Sequence, residues 1–88
     1  MGMQFFKILG WIAESIGKTC TVISTTAEGS LEGTGQLTDY GFEDGVAYAY
    51  FGSNMLTIEM KDIQEFYCDQ TQLRIVSIEQ SVLTITHN

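Results

Sequence analysis

A run of apolar residues stops at a Gly-Lys pair, and glycine-punctuated alternation begins at once. This junction, Ile16-Gly17-Lys18-Thr19, constrains the chain more than any other feature. Before it, Phe5, Leu9, Ile12 and Ile16 recur at steps of four, three and four, which predicts a helix over 3–16 with these residues on one face. Phe6, Ile8 and Trp11 widen its apolar surface. Gly17 suits a left-handed stop, and Lys18 suits the carbonyl end of a helix. A membrane-surface helix needs a basic polar face, whereas this one carries Lys7 and Glu14. It is therefore expected to pack on a core or on a neighbouring subunit.

After the junction the period changes to two. Thr19–Thr25 is rich in β-branched residues, with Cys20 and Val22 on one face and Thr21 and Ile23 on the other. Ala27-Glu28-Gly29 reads as a turn. Leu31, Gly33, Gly35 and Leu37 then share one face of a second strand. Two glycines on the same face imply a sharp bend or a close backbone approach, with no room for side chains at either position. Asp39–Gly45 reads as an acidic loop. From Gly45 to Phe51, Val46, Tyr48 and Tyr50 alternate against Ala47, Ala49 and Phe51. Met55–Met60 follows, with Leu56, Ile58 and Met60 on one side. Ile63–Cys68 fits a strand or a helical turn. Leu73–Ile78 and Val82–Thr86 form a hairpin around Glu79-Gln80-Ser81. A helix followed by five to seven short strands predicts a mainly β domain, either a small bent barrel or an α+β roll.

At 88 residues the chain has room for one domain, its helix over about 3–16 and its barrel over about 18–87. The apolar fraction of 44% argues against disorder. Eleven acidic residues against four basic ones give a net charge of −7, which disfavours general affinity for phosphate backbones. Cys20 and Cys68 stand far apart with no partner at ligand spacing, so both are expected to be small buried hydrophobes. No apolar run approaches the ~18 residues of a membrane span. MGMQFFKILGWI lacks the basic start and cleavage site of a secretory signal, so a soluble cytoplasmic protein without membrane contact is expected.

The chemistry-bearing residues are sparse. The Gly-Lys pair does not make a phosphate-binding loop. That motif places four residues between its glycines, whereas six separate Gly10 from Gly17, and it runs from strand to helix rather than the reverse. His87 is expected in a solvated tail. Glu59, Asp62, Glu65 and Asp69 recur near helical spacing, as a solvated edge or as an acidic face for a partner or divalent cation. Tyr40, Phe42, Tyr48, Tyr50, Phe51, Phe66 and Tyr67 suffice for base stacking, yet few cations accompany them, so most are expected in core and interface. No catalytic residue, metal site or cofactor is assigned, and no enzyme is expected.

Leu9, Ile16, Gly17, Lys18, Val22, Gly35, Leu37 and Tyr40 together carry a resemblance. Over roughly residues 5–51, the order of apolar helix, Gly-Lys, alternating strand, turn and Gly-x-Leu resembles the first half of Sm-like (LSm) proteins. The resemblance implies a strongly bent, five-stranded or slightly larger barrel with an N-terminal helix on top. It also implies ring assembly through the edge strands of neighbouring copies, with RNA as the family's usual ligand. The RNA-binding signature is not matched. Gly41 and Gly45 stand where the family's Asp and Asn would fall, and Arg74, the only arginine, is followed by Ile75 rather than Gly. Lys18, Tyr40, Phe42 and Arg74 are left as candidate ligand contacts. Two function classes follow: a non-enzymatic homo-oligomeric binding or scaffolding protein, and an acidic interaction module or inhibitor that imitates nucleic-acid phosphates.

Overall fold

The computed structural model describes residues 3–87. One helix, α1 (Met3–Glu14), precedes seven strands: β1 (Thr19–Thr26), β2 (Gly29–Glu43), β3 (Val46–Phe51), β4 (Asn54–Glu59), β5 (Ile63–Cys68), β6 (Gln72–Ser77) and β7 (Val82–His87). A single 3₁₀ turn, Met60–Asp62, joins β4 to β5. All pairings are antiparallel, in the order β4-β3-β2-β1-β7-β6-β5. The protein is mainly β. The sheet is open, with β4 and β5 as its two edges rather than hydrogen-bonded neighbours.

Its curvature originates in β2. Residues 29–36 of this 15-residue strand pair with β1, whereas Leu37 onward pairs with β3. A register shift between Leu37 and Asp39 leaves Thr38 as an extra residue, which kinks the strand and increases its twist. The segment Asp39–Gly45 is therefore not a loop. Strand β2 runs to Glu43, and Asp44-Gly45 alone makes the turn, with φ of 52° and 79°. Asp-Gly with both residues at positive φ is the turn whose twist suits a two-residue hairpin.

The helix stop behaves as its residues dictate. Gly17 adopts a φ of 91°, its N–H donates to the Leu37 carbonyl (2.8 Å), and the Leu37 N–H donates to the Lys18 carbonyl (3.0 Å). The Gln36 amide closes the same junction onto the Gly17 carbonyl at 2.9 Å. The helix ends two residues earlier than the pattern implies, and its buried face is rotated. Ile8, Trp11, Ile12 and Ser15 point inward, whereas Ile16, beyond the last turn, is 40% exposed. The helix is apolar over more than one stripe, so periodicity alone does not choose which face the sheet covers.

The core joins Ile8, Trp11 and Ile12 to the concave face of the sheet, through Cys20, Leu37, Ala47, Ala49, Phe51, Ile58, Leu73, Ile75 and Ile85. Period-two alternation holds in these strands except at Thr38 of β2, where the extra residue shifts the phase so that Leu37 and Phe42 both face inward. The small Ala47 and Ala49 sit on that inner face, opposite the outward Tyr48 and Tyr50.

Candidate functional site

Trp11 fastens the helix to the far end of the sheet. Its indole N–H donates to the Asp69 carbonyl at 2.7 Å, and its own carbonyl accepts from the Ser15 hydroxyl at 2.8 Å. His87 lies against it, ring centroids 5.2 Å apart and planes tilted by 30°. His87 is thus buried, not part of a solvated tail, because β7 reaches it and the Trp11 ring covers it.

Asp69 organises the β5–β6 turn from the solvent side. One carboxylate oxygen accepts from the backbone N–H groups of Thr71 and Gln72 (2.9 Å each), and the other accepts from the Tyr67 hydroxyl (3.0 Å). The bond from the Thr71 backbone, followed by that from Tyr67, holds the Asp69 carboxyl below its ordinary range. Tyr67 is pushed up in turn, mainly by donating to Asp69. A carboxyl lowered on folding stabilises the fold above the unfolded-state value of 3.8 and loses that contribution as pH falls through the folded value. Asp69→Asn is accordingly expected to be less stable than wild type at pH 7 and to lose less stability between pH 5 and pH 2. Denaturant unfolding at each pH measures both.

The thiols separate by burial. Cys20 is fully buried, and burial raises its pKa against a smaller opposing effect of Lys18. Cys68 is half-buried, and both are free. Since the thiolate is the reactive species, a native-state thiol assay is expected to titrate Cys68 quickly and Cys20 only on unfolding. Rapid reaction of both in native buffer would contradict the position of Cys20.

The four candidate contacts do not converge. Phe42 faces inward and packs edge-on against Phe5, ring centroids 4.5 Å apart. Tyr40 pairs with the buried Ala49 and is 37% exposed. Lys18 is exposed at the start of β1. Arg74, also exposed, lies level with Ile23 through Thr84. It is thus five residues along the sheet from Lys18, roughly 16 Å at 3.3 Å per residue. Gly41 pairs with Tyr48, whose ring lies where a side chain at Gly41 would have to go. Glu59, Asp62, Glu65 and Asp69 fall on β4, the 3₁₀ turn, β5 and the β5–β6 turn, so they form no stripe. Among the described residues no group of three His, Cys, Asp or Glu could hold a metal ion. No described helix is long and apolar enough to cross a membrane.

What the structure does bring together is a cleft on the concave face, where β4 and β5 diverge. It has a volume of about 450 Å³ and reaches from Leu56, Ile58 and Ile63 across to Val22, Ile75 and Leu83. A second lobe of about 320 Å³ shares Val22, Ser24 and Leu56 with it and extends to Leu31, Phe51 and Met55. Leu31 and Met55 are 79% and 55% exposed. Except for Met55, which pairs with the outward Tyr50 at the end of β4, alternation marks these residues as one inner face. It carries no signal that the face stays uncovered, since that depends on how far the sheet curves.

Comparison with protein-family models, with curated proteins and with solved structures finds no match to this chain.

Proposed function

We propose that the chain is a non-enzymatic, Sm-like assembly module whose copies join through the free edges β4 and β5, in a binding or scaffolding role. The two unpaired edges carry this reading. Each presents a row of backbone N–H and C=O groups, a template for strand addition that a closed ring of copies removes. The long β2, bent at the Thr38 bulge with a helix docked on the concave side, supports the Sm-like reading of residues 5–51.

Light scattering at micromolar concentration is expected to give several times the 9.8 kDa of one chain. A monomer would end the ring reading and leave the acidic interaction module, which can act as a single chain. RNA is expected to bind weakly at physiological salt, because few cations are available to displace counterions and Lys18 and Arg74 are far apart. Submicromolar affinity for labelled oligo-uridine, lost on Arg74→Ala, would overturn that expectation.

A further inference from the structure

The cleft between β4, the Met60–Asp62 turn and β7 combines an apolar body with carboxylates at one border. Its walls are Val22, Leu56, Ile58, Ile75, Val82 and Leu83. All of its charged lining residues are acidic: Asp62 in the 3₁₀ turn, Glu79 in the β6–β7 turn, and Glu59 at the end of β4, whose pairing with Val46 turns its side chain to the outer face. The Ile78 N–H donates to the Asp62 carbonyl at 2.8 Å, which ties the β6–β7 turn to the 3₁₀ turn and places Asp62 and Glu79 on segments held together. The Glu79 and Ser81 N–H groups both donate to the Ser77 hydroxyl at 3.2 Å, fixing the turn that carries Glu79. Lys61, the cation of the 3₁₀ turn, borders a different depression with Asp44 and Glu59.

We propose that this cleft binds a small amphiphilic cation, an alkyl or aryl amine whose apolar body lies on Val22, Ile58 and Leu83 and whose ammonium group meets Asp62 and Glu79. The volume lies within the range of small-molecule sites, and such sites pair an apolar lining with a few polar groups that orient the ligand. An anionic amphiphile would bring like charge to the Asp62 and Glu79 carboxylates, and a small hydrophilic cation would leave the apolar walls uncovered. The site is formed within one chain, and the titration below reads ligand binding rather than oligomeric state, so its outcome is separate from that of the assembly proposed above.

The test uses the full chain at pH 7, with decylammonium, decanol, decanoate and butylammonium titrated below their aggregation concentrations and followed by amide chemical shifts. Decylammonium is expected to move the resonances of Val22, Ile58, Ile75 and Leu83. It should bind roughly ten-fold more tightly than decanol, the size of effect that a few partly exposed charge contacts supply. Decanoate should bind more weakly than decanol, and butylammonium should leave the cleft unperturbed. In the variant Asp62→Asn, Glu79→Gln, decylammonium should fall to the affinity of decanol while decanol itself is unchanged. Equal binding of the three ten-carbon ligands, shifts outside the cleft, or a preference that survives in the variant would each overturn the proposal. So would the absence of any binding.

Discussion

Trp11→Ala is expected to destabilise the protein by about 3–5 kcal/mol, the range for removing a buried aromatic side chain. A chain of 88 residues has a total stability of about 4–13 kcal/mol, so this one change removes much of it. The effect is large because Trp11 performs three tasks. At 7% exposure it fills the junction between helix and sheet, its N–H bonds to the Asp69 carbonyl, and its ring covers His87. Trp11→Phe separates these tasks. It keeps an aromatic body in the core and against His87 but removes the donor, so about 1 kcal/mol is expected from the lost hydrogen bond. Urea unfolding followed by far-ultraviolet circular dichroism gives both values. If Phe and Ala cost the same, packing is not what Trp11 contributes; if neither costs anything, the docking of α1 on the sheet is wrong.

The contrast between Trp11 and Ile16 shows what the sequence can convey. Both are apolar and both fall within the predicted helix, and the four-three-four spacing selects Ile16. The structure buries Trp11 and leaves Ile16 beyond the helix end, because Gly17 turns the chain back to Leu37 before Ile16 can reach the core. That choice depends on a partner about twenty residues away. Strand faces were legible because period two is local: Ala47, Ala49 and Phe51 point inward as their alternation requires. The extent of β2 was obscured by Asp39 and Glu43, whose acidity suggests a loop. The Asp44-Gly45 dipeptide was the signal that could have placed the turn.

His87 failed differently. Its position near the end of the sequence suggests solvent, and only its pairing with Cys20 on β1 brings it under the helix. The candidate site is the least legible part. Asp62 and Glu79 belong to one cleft because the Ile78 N–H reaches the Asp62 carbonyl, a contact no spacing rule encodes. Lys18 and Arg74 are both candidate contacts in the sequence, and the sheet separates them.

The two glycines on the inner face of β2 yield the sharpest comparison. They share one sequence pattern, but their surroundings differ. A methyl group at Gly35 would lie 3.0 Å from the Phe51 carbonyl carbon, 3.1 Å from its oxygen and 3.2 Å from the Gly52 nitrogen. All three are backbone atoms, and the Gly52 N–H is itself held by the Gln36 carbonyl at 2.9 Å. The β3–β4 turn therefore cannot move away without losing that bond. Gly33 has nothing within 4 Å of the same position, so the expectation that both glycines lack room holds for Gly35 alone. Gly35→Ala is expected to cost about 1–3 kcal/mol through overpacking, and Gly35→Val more, since its branch adds bulk on the side where the turn crosses. Gly33→Ala is expected to range from neutral to about 1 kcal/mol more stable, because alanine restricts the unfolded chain without meeting an obstacle in the folded one. Chemical denaturation of the three variants beside wild type decides it. Equal stability of the Gly33 and Gly35 alanine variants would mean that the β3–β4 turn does not cross β2 at Gly35, and the origin of the bend would have to be sought in the Thr38 bulge alone.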